Sequence, residues 1–543
     1  MDENLATLWE HVAATVPDHV AVRQGKRTCT YRDFERRSAQ VAGALQAAGV
    51  GEGTKVACFL YNSPELLEAV WGALKVRAIP VNVNYRYRAD EVRHLLTDAD
   101  AEVLVFHSSL ADRLEGVLGR LPALRLVACV LDEPGAAPVP GVEEFEDLLG
   151  RHEPHPPIAR SGEDQLFTYT GGTTGLPKGV VWTHSALFDA TSFSAYNAAG
   201  RTPPDTLEDA VTIVRELAEA GTLVVSLPVV PLMHTTGLFV SIGTLLVGGT
   251  VVFTEGRSLD PPAIWRLVGE AGVAQIVIAG DAVARPLVEE LQRADSAGRP
   301  YDLRTLVRIV SAGVAWTDEV KRFLLERGHL QLVEILAASE GGPFAFAVTS
   351  SVDDLPSRFR PVPGTRVFRD DGGLVTPGSG EIGALAFAGA MPVGYYKDPE
   401  KTAATYRWIE GTRYVMPGDY VRVREDGSLE MLGRGAAVVN TGGEKVYPAE
   451  VEGVLLAHPA VADCAVVGVP DARWGEVVTA LVVLREPGAV SGQELMDTVG
   501  EHLAGYKKPR HVVLVDSLRR GPNSKLDLGW ARELARERVA GST

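Results

Sequence analysis

Short apolar strands alternate with amphipathic helices along most of this chain, and that alternation constrains the fold more than any other feature. Thr30 precedes an amphipathic stretch with Phe34, Val41 and Leu45 on one face, and Gly49 stops it. Residues 55–60 read as a strand. Residues 64–76 read as a helix with Pro64 in its first turn. Strands follow at 79–83, 102–106 and 165–169, with further apolar runs at 223–230, 275–279 and 307–311. Such alternation predicts an α/β protein of largely parallel sheets covered by helices.

Three stretches interrupt the rhythm. Between 132 and 157 the composition turns to Pro, Glu and Gly, which reads as a surface connection with solvated histidines at His152 and His155. Residues 195–220 hold Pro203-Pro204-Asp205 and then a helical pattern through Val211, Val214, Leu217 and Ala218. That is a lid or a packing helix, and packing is favoured. Around Gly433-Arg434-Gly435 the alternation ends. Beyond it come strands at 461–467 and 477–484 and a helix opened by the capping box Ser491-Gly492-Gln493-Glu494. The expected division is a large domain, 1–432, and a small α+β cap, 433–543, with a hinge near 433–436.

Composition narrows the function. Apolar residues make up 46% and charged residues 23%, which excludes disorder, collagen and coiled coil. The 70 acidic residues outnumber 53 basic ones, a formal charge of −17, so there is no general footprint for nucleic acid or an anionic membrane. Cys29, Cys58, Cys129 and Cys464 form no CxxC pair and read as buried free thiols. The N-terminus, Met1-Asp2-Glu3-Asn4, is acidic where a signal peptide is basic, and no uninterrupted apolar run of 18 residues suggests a membrane span. The expectation is a cytoplasmic enzyme with small-molecule partners and no nucleic acid. A homodimer is the one assembly carried forward.

The strongest local signal is Tyr169-Thr170-Gly171-Gly172-Thr173-Thr174-Gly175-Leu176-Pro177-Lys178-Gly179, directly after a strand. Glycines let backbone N–H groups fold around an anion, threonine hydroxyls add donors, and Lys178 adds positive charge. This is chemistry for holding a polyphosphate. It is not the Walker pattern, because Gly179 rather than Ser or Thr follows the lysine.

The segment resembles the phosphate loop of adenylate-forming enzymes, the superfamily of acyl-CoA synthetases, peptide-synthetase adenylation domains and firefly luciferase. Further stretches resemble that family in its order. They are Pro231-Leu232-Met233-His234-Thr235-Thr236-Gly237, Ser339-Glu340, Gly394-Tyr395-Tyr396 with Pro399-Glu400-Lys401-Thr402, Gly418-Asp419, Gly433-Arg434, Pro448-Ala449-Glu450-Val451-Glu452, His458-Pro459-Ala460-Val461 and Lys525. The resemblance implies roles. Lys525, His234, Glu340 and Lys178 are the catalytic candidates, with Glu340 binding the magnesium of ATP. Thr170, Gly171, Gly172, Thr173, Thr174, Gly175, Lys178, Gly313, Leu336, Ala337, Ala338, Ser339, Asp419, Arg434 and Lys525 are candidates for the nucleotide. His234, Gly237, Leu238, Gly280, Asp281, Ala312 and Gly313 are candidates for the acyl pocket, and Gly442, Gly443 and Lys445 for CoA. The implied cofactors are ATP (or acyl-AMP), Mg2+ and coenzyme A.

The departures from the family pattern fall near the nucleotide and hinge. Leu336 stands where an aromatic flanks adenine, and base–aromatic stacking is worth roughly 1–3 kcal/mol. Met416-Pro417 replaces Arg-Thr before Gly418-Asp419, Ala436 replaces a hinge Asp or Lys, and Ser524 replaces the Gly before the lysine. Asn440-Thr441-Gly442-Gly443-Glu444-Lys445-Val446, Ser311-Ala312-Gly313-Val314 and Gly280-Asp281-Ala282 resemble the branch acting on steroid side-chain acids. Gly237, Gly280, Ala312 and Gly313 suit a roomy pocket, and these pocket stretches show no Lys or Arg to pair with a second carboxylate. The resulting expectation is an acid–CoA ligase for a bulky, apolar steroid or terpenoid acid. Two alternatives stand beside it: an enzyme that mainly forms the thioester from a preformed acyl-adenylate, and an adenylate-binding regulatory pseudoenzyme.

Overall fold

Two mixed sheets, each parallel through its middle, organise the large domain. The computed structural model describes residues 3–540 except 134, 137–138, 172–176, 314–315, 370, 435–438, 447 and 520–527. Among the described residues one sheet has nine strands and runs from Arg360–Pro361 and Gly341–Thr349 through Gln331–Ala338, Arg308–Ala312, Gln275–Ile278, Val225–Pro228, Thr250–Phe253 and Val20–Gln24 to Arg27–Thr30. Its six middle strands are mutually parallel. The eight-stranded sheet is parallel from Gln165–Gly171 through Ile79–Asn82, Lys55–Phe59, Ala101–His107 and Leu126–Val130 to Glu143–Glu144. At its other edge Pro177–Thr183 and Gly394–Tyr395 pair antiparallel.

Local chemistry builds the helices that cover these sheets. Thr30 caps Tyr31–Ala47 by accepting the Asp33 N–H at 3.1 Å. Ser63 caps Pro64–Lys75, with Pro64 pre-set for the first turn and Glu65 beside the positive helix end. Helices Leu5–Thr15, Tyr31–Ala47 and Pro64–Lys75 then meet around Trp9, whose ring stacks on Tyr31 at 5.2 Å and Trp71 at 5.0 Å. Truncating so large a buried ring to Ala costs about 3–5 kcal/mol.

Residues 132–157 are more ordered than their composition suggests. They contain helix Phe145–Arg151, which buries Phe145, Leu148 and Leu149. His155 is buried, not solvated, and its N–H donates to Ala39 O at 2.8 Å. Gly43 permits this approach, since a Cβ there would sit 2.3 Å from Glu153 O. In the 195–220 stretch, helix Leu207–Glu219 buries Ala210, Val214 and Leu217 and packs near helix Leu5–Thr15, as a packing helix does.

A six-stranded sheet, largely antiparallel, includes Ile382–Phe387, Asp419–Val423 and Leu429–Arg434. The small C-terminal domain has five described strands, led by the long hairpin Val461–Asp471 and Gly475–Leu484. Helices Pro448–Ala457 and Gly492–His502 cover one face, and Leu528–Ala540 covers the other. The Ser491–Glu494 capping box forms as expected. All four cysteines are free and buried. Burial pushes Cys58 up to about 12 and Cys29 and Cys129 up to about 11, which makes them poor nucleophiles. No helix among the described residues is long and apolar enough to cross a membrane.

Candidate active site

The ends of the phosphate-loop segment lie on two paired strands. Strands Gln165–Gly171 and Pro177–Thr183 pair so that Thr170 lies opposite Lys178. Gly172, Thr173, Thr174 and Gly175 lie outside the described residues, as does Lys525. Lys178 forms an ion pair with Asp398 at 3.3 Å. Asp398 also caps helix Pro399–Thr405, and the Lys401 N–H and Lys178 hold its carboxyl below the usual range. On the facing strand end, Tyr395 donates to Glu340 Oε1 at 2.8 Å and Tyr406 donates to the Glu340 carbonyl at 2.9 Å. Trp182 Nε1 donates to Ser339 O at 3.2 Å. The Tyr395 and Pro399 stretches therefore position Glu340 and Lys178.

Two asparagines fix the segment carrying His234. Asn62 donates to Val230 O at 3.0 Å and accepts from Leu232 N at 2.7 Å. Asn82, at the end of its strand, accepts from Tyr169 N at 2.7 Å and donates to Met233 O. The residue before the phosphate loop and the residue before His234 thus share one side chain. His234 then precedes helix Thr235–Leu246. Its Nε2 is 3.1 Å from Glu444 Oε1 of the small domain, and Arg86 pairs with the same oxygen at 2.6 Å. Glu444 is buried. That alone would raise its carboxyl, but His234, Arg86 and Lys507 outweigh burial and hold it low.

A second contact joins the domains. Buried Lys507 pairs with Glu91 of the large domain at 2.7 Å and with Glu450 at 2.5 Å. Between these contacts lies a cleft of about 1140 Å³, lined by Thr170, His234, Gly313 and Ala337 to Glu340 on one side and Gly442, Gly443, Glu444 and Trp474 on the other. At Gly442, φ is +58° and a Cβ would lie 2.6 Å from the Trp474 ring, so only glycine fits there.

Residues 9–396 match the AMP-binding enzyme family profile, and residues 450–525 match the AMP-binding enzyme C-terminal domain. The chain belongs to the AMP-binding enzyme family. It is 37% identical over 538 residues to the 3-oxocholest-4-en-26-oate–CoA ligase of Rhodococcus rhodochrous, covering 98% of this chain and 95% of that protein. It is 38% identical over 548 residues to a medium/long-chain-fatty-acid–CoA/3-oxocholest-4-en-26-oate–CoA ligase of Mycobacterium tuberculosis, covering 99% and 97%. The solved amide bond synthetase McbA from Marinactinospora thermotolerans superposes with a TM-score of 0.77 at 26% identity, covering 97% of this chain and 99% of that one. The expected fold and the expected class, an acid–thiol ligase working through an acyl-adenylate, agree with this membership.

The AMP-binding enzyme has a second, apolar cavity of about 480 Å³ that meets the cleft at Thr235, Thr236, Ala312, Ala337 and Ala338. Helices His184–Ala198 and Thr235–Leu246 cover it, and alternate residues of two strands floor it: Val310 and Ala312 on one, Val333, Ile335 and Ala337 on the other. Several expected residues lie elsewhere. Leu336 alternates to the opposite side, packs against the core and lines neither cavity. Leu238 is core. Gly237 is needed because a Cβ would lie 2.7 Å from Pro231 O, so it serves helix–loop packing rather than pocket volume. Asp281 accepts from Thr317 N at 2.9 Å and Thr317 Oγ1 at 2.7 Å, which ties two helices together. Gly280 is buried and donates its N–H to Ser311 Oγ at 2.9 Å. Asp419 is buried, in register with Arg434, outside both cavities. The side chains of Arg434 and Lys445 lie outside the described residues. Gly313, with φ +84° and open space at its Cβ position, does line the cleft.

Sequence reasoning missed Asn62, Asn82, Arg86 and Glu444, whose partners lie far away in the chain. The pocket stretches it singled out hold no Lys or Arg, but Arg308 and Arg360, outside those stretches, line the apolar cavity.

Proposed function

We propose that this enzyme joins a bulky, largely apolar carboxylic acid of steroid or polycyclic terpenoid type to CoA through an acyl-adenylate. The apolar cavity supports the reading, because at Thr235, Ala312 and Ala337 it meets the cleft that Thr170 and His234 line. The printed names of the relatives support it. A carboxylate oxygen of the acid attacks the α-phosphorus of ATP, and the bond to pyrophosphate breaks. Lys178, the amides of 170–175 and Lys525 offset the charge gathering at phosphorus. Asp419 and Arg434 hold the nucleotide, and residues 433–543 act as the moving cap. The CoA thiol then loses its proton, its sulfur attacks the acyl carbon and AMP leaves. Gly442, Gly443 and Lys445 are assigned to CoA.

The donors present suit a magnesium ion carried by the nucleotide. Glu340 offers one carboxylate in the cleft that Ser339 and Thr235 also line, and no group of three His, Cys, Asp or Glu among the described residues cages a metal. Magnesium commonly keeps its waters and takes one or two carboxylates plus substrate phosphates, so Glu340 would hold it and it would neutralise phosphate charge.

The reading in which the chain mainly forms the thioester from supplied acyl-adenylate has two observations in its favour. Gly442–Glu444 face the cleft beside His234, and Leu336 brings no aromatic face to either cavity. One experiment separates the two. Lys525→Ala is expected to lower pyrophosphate release from acid and ATP by roughly 10²–10³-fold, the scale for one preorganised charge donor. It is expected to leave acyl-CoA formation from synthetic acyl-adenylate nearly intact. Wild type that forms acyl-CoA from the adenylate but releases no pyrophosphate with any large acid would select the second reading.

A further inference from the structure

A row of polar side chains crosses the end of the apolar cavity farthest from the cleft. Parallel register sets Ser226 beside Gln275, Gln275 beside Arg308, and Arg308 beside Gln331. The same strand faces are apolar from there to the cleft, through Val310 to Ala312 and through Val333 and Ile335 to Ala337. At about 3.3 Å per residue, Arg308 lies about 13 Å from Ala312, and Gln331 about 20 Å from Ala337, along their strands.

The residues of this row differ in how they are satisfied. Gln275 donates to Ser226 Oγ at 3.2 Å. Arg360, the other guanidinium in the wall, pairs with Asp426 at 3.1 Å and donates to its carbonyl at 2.7 Å. Arg308 has one hydrogen bond among the described residues, from Nε to Gln331 Oε1 at 3.1 Å, and no carboxylate there pairs with it. Burial pulls its guanidinium below the ordinary value with nothing opposing. Arginine keeps its charge and all five donors in a protein, so a half-buried guanidinium in an apolar wall is stabilised by an acceptor that a ligand brings.

We propose that Arg308 selects the remote end of the acyl substrate. Its guanidinium, flanked by Gln275 and Gln331, takes an oxygen acceptor, a ketone or a carboxylate, at the far end of an otherwise apolar acid. This rests on the acyl-CoA ligase reading above and narrows it: the preferred acid is polar at both ends.

The test uses matched acids with the full-length enzyme. One pair is 3-oxocholest-4-en-26-oate and its analogue lacking the 3-oxygen. The other is hexadecanedioate and hexadecanoate. Wild type is expected to favour the oxygenated member of one pair by roughly 10- to 100-fold in kcat/KM, the scale of a hydrogen bond to a charged group. The difference should lie mainly in KM, because the contact is the same in ground and transition states. Preference in the first pair identifies a ketone, and preference in the second a carboxylate. Arg308→Leu is expected to erase that preference while sparing the unoxygenated acid, and Arg308→Lys to keep part of it. Equal handling of both members by wild type overturns the assignment, as does an equal loss for both in a folded Arg308→Leu protein. Failure to form acyl-CoA from any of the four acids overturns the ligase reading instead. Arg308 is then read from the rise in Tm that each acid produces, which must be larger for an oxygenated acid in wild type and not in Arg308→Leu.

Discussion

The two cavities of this enzyme share a border at Thr235, Thr236, Ala312, Ala337 and Ala338 and are otherwise opposites. The cleft lies between domains, and its charges are met from the other side: Glu444 by Arg86 and His234, and Lys507 by Glu91, with Glu450 of its own domain beside it. The apolar cavity lies within the large domain, floored by parallel strands whose register no domain motion changes. Among the described residues no carboxylate pairs with the Arg308 guanidinium in its wall. The difference assigns separate tasks. In the proposed reaction charge is handled where the two domains meet, while substrate shape is read against a floor of paired strands.

The hardest blow to the comparison would fall on Lys507. Lys507→Met leaves Glu91 and Glu450 buried without their cation, and breaking such a group typically costs about 3–5 kcal/mol. Urea denaturation is expected to show a loss of that size. Protein that survives folded should still bind large acids, because the apolar cavity lies apart from this contact. An unchanged midpoint would mean that the domains are not held together here.

A smaller effect is expected inside the apolar cavity. Val333→Trp overpacks its floor, which typically costs about 1–3 kcal/mol. KM for a steroid acid should rise accordingly while a short acid such as butyrate is spared; equal changes for both would remove the cavity from acid binding. Gly313→Trp is a poorer probe, because φ of +84° adds backbone strain to any change of size.

The smallest expected effect is on pH. Burial lifts the Glu450 carboxyl to about 7, with Glu91 adding to the lift and Lys507 opposing it. A docked-state value above the ordinary 4.5 means that docking takes up a proton. The associated stability is fully present below 4.5 and is lost as pH rises through about 7. Fluorescence transfer between the domains should therefore report somewhat more docked protein at pH 6 than at pH 8, and Glu450→Gln should flatten that dependence. The opposite slope would rule out Glu450 as its source.

Much of the scaffold was legible from local pattern. The helix after Ser63, the capping box at Ser491 and the strand that leads into Thr170 each depend on residues within a few positions of one another. The ordered family stretches pointed to one cleft, and Thr170, His234, Glu340, Gly442 and Gly443 do line it. Small or acidic residues in pocket stretches were harder to read. Gly237 is small because Pro231 passes close, and Asp281 is acidic because Thr317 needs an acceptor. Neither reason is visible at the residue itself.

What the sequence determined by itself was therefore local and periodic: which segments are strands and helices, where they are capped, and that a Gly/Thr-rich segment follows a strand. Those properties depend on backbone preferences and contacts a few residues apart. Tertiary structure alone decided which side chains meet. Sheet register set Arg308 between Gln275 and Gln331 at the end of an apolar floor. Domain docking brought Glu444 to His234, 210 positions away. Strand order and domain contact arise from burying surface common to distant segments, and no single segment carries that information.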